Sequence, residues 1–535
     1  MNAQDLNRTK TSRFGRGRGT SIGGENSLSK IRHTLARSRR SDEVAGKAAL
    51  VIAGMVYNLL LNVAAAQQTP SISPPRSPSV QAEKPPEKKC GPPSYPCSRT
   101  DFAIVQVPDP LPNVGNLVGA NTIITDPDFH NRIVRVTDAN ANPRKPARSF
   151  GAGIGGSADV TVWNKDSTLF ILGDTGGEYY PFSFDPDKMQ AARLYKGSFP
   201  ATGGIVTREG VWSHSQPNVL YMLDHTTILR LDFSDRKNPP KGQVIIDFAK
   251  FPGCMPVGFK ATWYVFGGVS EDESIFSAAF SSSGQDTGAY AVVYQKGKGC
   301  RLLNTQTGQV TGSWGSSGTI TTDDRWGIHN VKMSKDGGWL VVSNGKCYSS
   351  NCAGPYFWQV NSITTTNCAK GASCGGHWTA GHNRWINAGG APMGQLQTRL
   401  FSSTTSPTAL IKGLPLGITP PFDEHLSWSN VDPNDSFPVL SATRSKTTPF
   451  PGPWYNEVIG IAADGSGKVW RFAHTFNTAK SHRFAPQQAI GSVSQDGRFY
   501  VFSSDWMGTL GSESGAHTCT VAKDCRGDAF VVELQ

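Results

Sequence analysis

From about residue 101 onward the apolar positions of the chain come in short bursts. Runs of β-branched and aromatic residues fall at Thr161–Leu172, Val219–Asp232, Ser274–Phe280, Gly338–Ser343, Phe437–Ala442, Glu457–Ile461 and Arg498–Ser504. Gly, Asp, Asn, Ser and Pro separate them, and no long stretch places its apolar residues at helical spacing. Closely spaced short runs bounded by turn residues predict strands joined by tight turns.

The bursts also repeat. A short strand, a polar turn and a second, larger apolar strand recur at Val331–Leu340 (VKMSKDGGWL) and at Ser492–Val501 (SVSQDGRFYV). Val162–Asp166 and Val269–Asp272 fit the same phrase, while Trp212–Pro217 and Trp428–Asp432 fit it more loosely. The Asp-Gly step suits a turn that needs a positive φ. Counting the region around His377, these phrases give seven units spaced by roughly 50 residues, the size of a four-stranded propeller blade. An all-β, seven-bladed β-propeller over residues 101–535 is therefore expected. Ile133–Val136 is expected to pair beside Phe530–Leu534 and so close the ring, which removes the exposed edge strands.

Ser494–Phe499, Phe530–Leu534, Thr125–Asp128 and Arg135–Asp138 resemble sequences of exported bacterial β-propellers with about seven blades. The resemblance covers most of residues 101–535. Its motifs are architectural, so it implies a fold and not an activity.

Composition separates the two ends of the chain. Residues 1–66 carry 11 Lys and Arg against 4 Asp and Glu, and residues 67–99 carry 5 against 2. The remainder holds 36 against 35, so most of the +11 formal charge lies before the predicted propeller. A nucleic-acid surface needs clustered cations, and none is expected here. After Arg37, Arg39 and Arg40 an apolar run extends from Ala48 to Ala66, the order of parts in a secretory signal. Residues 1–66 are read as that signal, or as a membrane anchor if it stays uncleaved. Pro-rich residues 67–100 are read as an extended linker. The cysteines fall as close neighbours, Cys90/Cys97, Cys254/Cys300, Cys347/Cys352, Cys368/Cys374 and Cys519/Cys525, which reads as disulfides in an oxidising compartment. Cys368, Cys374, His377 and His382 could also be drawn as a zinc knuckle. The expected setting is extracytoplasmic, and the expected state a monomer.

The candidate chemistry follows from the repeat. His329, His377 and His425 are 48 residues apart each time, so each enters the innermost strand of its blade at an equivalent point. Three consecutive blades would then present three imidazoles to the central channel, and Gln488 is a candidate fourth ligand. Imidazole ligands with an open position suit a catalytic divalent ion, with Mn, Zn or Ca as the candidates. The alternative is that these histidines simply line the channel. Three His plus Gln in a propeller channel resembles the metal site of oligogalacturonate lyases. That resemblance implies a metal that holds a uronate carboxylate and a base, His474 or His382, that removes the adjacent proton.

Three other patterns carry no chemistry. Gly151–Gly156 matches G-x-G-x-x-G, but it leads into a strand-like run and not a helix, which excludes a dinucleotide site. There is no G-x-S-x-G element, and Asp423 and Glu424, as neighbours on a strand, would point to opposite faces. Aromatic residues at Tyr179, Tyr180, Trp314, Trp326, Trp378, Trp428, Trp454, Tyr455 and Trp506 suit either a carbohydrate platform or blade packing. Two functions follow: a metal-dependent enzyme acting on an extracellular acidic polysaccharide, or a non-catalytic propeller that binds a glycan or an envelope protein.

Overall fold

The computed structural model describes residues 89–535 apart from 143–144, 153–160, 196–209, 351, 369–376, 391–394, 413–424, 433, 446–447, 479–488 and 521–523. All the described residues fall in one compact unit, Lys84–Gln535. The expected signal or anchor and the linker as far as residue 88 lie outside them. No helix among the described residues is long and apolar enough to cross a membrane.

Seven antiparallel sheets follow one another as the blades of a β-propeller. We number the blades I–VII. Their second strands are Leu169–Asp174, Val219–Asp224, Ile275–Ser281, Trp339–Cys347, Arg384–Gly390, Val439–Ala442 and Phe499–Ser504. All but Arg384–Gly390 lie where the apolar bursts predicted strands. Two bursts are divided: Asn164–Ser167 turns the chain before Leu169, and a turn at His225 and Thr226 splits Val219–Asp232.

The recurring turn has a local cause. Ser334 and Ser494 each donate a hydroxyl to the Asp two residues on, and each accepts the amide of the residue five on. That Asp carboxylate in turn accepts the amide two residues beyond it. Gly337 and Gly497 sit at φ +74° and +73°, where a side chain is disfavoured. At Gly497 a Cβ would also lie 2.8 Å from the Tyr95 hydroxyl.

Blade VII closes the ring as expected. Arg132–Arg135, from the start of the domain, pairs with Asp528–Glu533 from its end, in the register Ile133↔Val532 and Arg135↔Phe530. Beneath that pairing Asp528 accepts Arg135 Nε and Nη2 at 3.0 and 2.6 Å and Thr137 Oγ1 at 2.9 Å, and Arg526 Nη2 also donates to it. Both guanidinium groups and the carboxylate are fully buried.

The core lies between neighbouring blades. Val134, Val501 and Val531 of blade VII pack on Phe150, Trp163 and Phe170 of blade I. Trp326, Trp428, Trp454 and Trp506 are fully buried and Trp378 nearly so. These aromatics serve blade packing, and an exposed carbohydrate platform built on them is overturned.

The Pro-rich segment does not run free to residue 100. From Cys90 it straps blades VI and VII, clipped by a Cys90–Cys97 disulfide. Tyr95 is 1% exposed, meets Trp470 and Phe472 edge-on, and donates to Gly497 O at 2.8 Å. Arg99 extends blade VI through a β-bridge to Arg471. The pairs Cys254–Cys300, Cys347–Cys352 and Cys519–Cys525 form as expected. Cys368 is also disulfide-bonded, which removes it as a zinc ligand, and Cys374 lies outside the described residues.

Candidate functional site

The expected ligand histidines divide. His377 and His425, entering blades V and VI at the same register, bring their ring centroids to 4.3 Å with planes inclined by 57°. His425 is buried and His377 partly so. His329 behaves differently. Its strand, Trp326–Met333, shifts register between Trp326 and Ile328 and again between Ile328 and Asn330. Such bulges re-aim a side chain. The His329 ring is 47% exposed and its Nδ1 lies 2.6 Å from Asp286 Oδ1 of blade III. Gln488 lies outside the described residues, as do Asp423 and Glu424.

Two imidazoles on one metal ion have ligand nitrogens about 3–3.5 Å apart. A centroid separation of 4.3 Å at 57° is compatible with that arrangement. The His377 and His425 rings are thus brought into contact, while His329 is held elsewhere by its carboxylate partner.

The other end of the innermost strands is built from the repeated turns. His382 follows His377 by five residues, in the turn beyond the strand Trp378–Ala380. It occupies the second position of its turn, as do His214, Glu271, Lys335 and Gln495 of theirs. These side chains meet across the propeller axis, between blades that are not neighbours. His214 Nδ1 of blade II lies 3.3 Å from Gln495 Oε1 of blade VII. His382 Nε2 of blade V lies 2.9 Å from Glu271 Oε2 of blade III, and its Nδ1 lies 2.8 Å from Asp435 Oδ1. Lys335 of blade IV donates to Asn430 O at 2.8 Å and lies 4.8 Å over the Trp428 ring.

This geometry sets the charge of His382. Both ring nitrogens face carboxylates, which only accept, so both must donate and the ring is an imidazolium. The hydrogen bonds to Asp435 and Glu271 outweigh burial and raise its pKa to about 9. Burial would raise Asp435, yet His382 and Lys335 hold it below the usual carboxylate range. An imidazolium clamped in this way has no lone pair for a proton, so the expectation that His382 acts as a base does not fit the geometry.

His474, the other expected base, lies between blades VI and VII and is fully buried. Asp126 accepts its backbone amide at 2.7 Å, and its Nδ1 lies 3.2 Å from Asp126 Oδ2. Burial would raise the Asp126 carboxyl, but the side chain and amide of His474 and the amide of Asp128 hold it down. The His474 ring is fully buried between two blades, and the geometry does not place it as a catalytic base.

Among the described residues, two groups bring three potential metal-ligand atoms within 4.8 Å of one another: Asp126, Asp128 and His474, and His382, Asp432 and Asp435. Acidic and histidine side chains of this chain could thus hold a metal ion, in the second group only once His382 gives up a ring proton. The charged partners of His382 were missed in the sequence, although Glu271 and Lys335 occupy the variable position of the Ser-x-Asp turns, where reading across the repeat would have aligned them.

The fold and these clusters define the class: a disulfide-bonded seven-bladed β-propeller with metal-capable His and Asp clusters. No family model matches the chain, and no curated protein matches it. Among solved structures it is similar to an oligogalacturonate lyase from Vibrio parahaemolyticus, with 10% identity over 77% of this chain and 96% of that one and a TM-score of 0.49. It is also similar to a chain of a mitotic checkpoint complex, 14% identical over 76% and 96%, TM-score 0.37. A third is the WD40 domain of Pan2 from Neurospora crassa, 11% identical over 72% and 96%, TM-score 0.34. The seven sheets of this chain themselves define its fold.

Proposed function

We propose that this chain is an exported β-propeller whose channel binds a divalent metal ion through His377 and His425, with an extracellular acidic polysaccharide as its substrate. The observation that carries this reading is the 4.3 Å approach of the two rings at one register of adjacent blades. The disulfides are consistent with an extracytoplasmic setting.

When bound, a divalent ion would acidify the proton beside a uronate carboxylate. The chain's own part is to hold the ion with neutral imidazoles and to admit the sugar. Entry from the histidine end suits the structure, because the turn end is crossed by Glu271, Lys335, His382 and Gln495. Of the three-His-plus-Gln set that resembles oligogalacturonate lyases, His377 and His425 come together, and a lyase-like reaction is proposed on that pair.

The test is elemental analysis of purified full-length protein after exposure to Mn²⁺ or Zn²⁺, for the natural chain and a His377→Ala/His425→Ala variant. Metal retained by the natural chain and diminished in the variant supports the reading, and equal metal in both removes it. Incubation with polygalacturonate then separates catalysis, seen as unsaturated uronate product, from binding alone.

A further inference from the structure

A second cluster lies away from the channel, in the seam between blades VI and VII. Asp126, in the turn after Ile123–Thr125 at the outer edge of blade VII, accepts the amides of Asp128 and Phe129 at 3.0 and 3.1 Å. It also holds the His474 amide and Nδ1. His474 is the last residue of Val469–His474 in blade VI, so the contact joins two blades. Phe129 and Phe476 pack on its ring at 5.0 and 5.3 Å.

The unfinished feature is Nε2. It is buried and makes no hydrogen bond. It is aimed at Asp128, whose Oδ2 lies 3.9 Å away, beyond hydrogen-bond reach. With Nδ1–H donated to Asp126, a neutral ring directs an Nε2 lone pair toward a second carboxylate, an arrangement that is repulsive unless a cation lies between them. A protonated ring would leave a buried N–H donor without an acceptor, which also costs free energy. The nearby cations do not relieve the site, because Arg471 pairs with Glu457 and Asp101, and Arg99 pairs with Asp101. Asp128 feels Arg99 only at longer range, and among the described residues the one side chain paired within 4 Å with both Asp126 and Asp128 is the His474 imidazole.

We propose that His474 Nε2 and Asp128 bind a zinc ion at the blade VI–VII seam, with Asp126 as the carboxylate that orients the histidine. Two ligand atoms on one tetrahedral zinc ion lie about 3–3.5 Å apart, so the half-exposed Asp128 side chain need move only about 0.5 Å to close the 3.9 Å gap around the ion. A carboxylate on the far nitrogen of a metal-binding histidine fixes its tautomer and raises its basicity. Asp128 is 38% exposed, so water completes the coordination from the solvent side. The ion ties the outer hairpin of blade VII to blade VI beside the strap from the N-terminal segment. Its role is to staple the seam, and it is independent of the channel histidines.

The probe is Zn²⁺ added to chelator-treated full-length protein and followed by titration calorimetry and thermal unfolding. In the His377→Ala/His425→Ala variant, where the channel pair cannot contribute, about one equivalent of zinc still binds and raises the unfolding midpoint. Adding Asp128→Asn weakens that binding at least tenfold and abolishes the midpoint shift. Asp126→Asn weakens it by about 10–100-fold through loss of orientation. In the otherwise natural chain, Asp128→Asn lowers zinc stoichiometry by about one, a check that does not depend on the double variant folding. If the double variant binds no zinc, or if Asp128→Asn binds it unchanged, the seam site is refuted while the channel reading stands or falls separately.

Discussion

Replacing Asp528 with Asn tests how the ring is closed. The carboxylate is fully buried and receives Arg135 through two nitrogens, Thr137 through its hydroxyl, and Arg526. Asn keeps the shape and removes the charge, leaving two buried guanidinium groups. Arg135 retains the carbonyls of Val114, Asn116 and Thr137, and Arg526 retains that of Leu117. Hydrogen bonds survive, therefore, but the counter-charge does not. Breaking a buried pair from one side costs about 3–5 kcal/mol, a large fraction of a total stability of about 5–15 kcal/mol. The control is on the same strand pair: Arg132 and Glu533 meet at 2.8 Å but are 39% and 19% exposed, so Glu533→Gln costs about 0–1 kcal/mol. Urea unfolding followed by tryptophan fluorescence, with equal slopes in all three proteins, measures the difference. A loss below about 1 kcal/mol for Asp528→Asn, or equal losses for the two variants, would refute the argument that the buried charge holds the closure.

Other consequences can be checked in the same assay. Tyr95→Ala should cost about 3–5 kcal/mol by emptying the strap's anchor, and Tyr95→Phe about 1 kcal/mol through the hydrogen bond to Gly497; equal losses would mean the hydroxyl, not the ring, anchors the strap. Because folding raises the His382 pKa from 6.5 to about 9, its stabilisation is full below pH 6.5 and fades as pH rises through 9. His382→Gln should flatten that alkaline decline, and an unchanged profile would place its origin elsewhere. For Glu273, burial is overcome by the hydroxyls of Ser213, Ser215 and Tyr221 and the Ser215 amide, which depress its pKa from 4.5 to about 2. Its contribution is present above pH 4.5 and is lost as pH falls toward 2, so Glu273→Gln should show a shallower acid decline than the natural chain. The Cys254–Cys300 disulfide joins residues 46 apart. Replacing both cysteines with serine should cost about 4 kcal/mol on the chain-entropy account, read as a lowered urea midpoint.

The fold was legible because its signal is local and repeated. The Ser-x-Asp turn and the larger apolar strand after it recur at Ser334 and Ser494 for the same hydrogen-bonding reason. Ring closure could be read from the short apolar runs Ile133–Val136 and Phe530–Leu534 at the two ends, which pair and are buried on both faces. The candidate site was legible only in part. Equal spacing places His377 and His425 together, but it assumes that each strand keeps its register, and the bulges beside His329 break that assumption. Nor does spacing along one strand reveal partners from other blades. Asp435 and Glu271, which turn His382 into a cation, lie 53 and 111 residues away from it in sequence. The strap was hidden for a related reason: nine prolines mark an extended segment, but one tyrosine decides where it docks.

Anomalous diffraction from crystals soaked in MnCl₂ tests the channel account most directly. The account predicts an anomalous peak within coordination distance of both the His377 and His425 rings, lost in the His377→Ala/His425→Ala variant. A map with no peak between those two rings, from crystals in which the ion is seen elsewhere on the molecule, would contradict it.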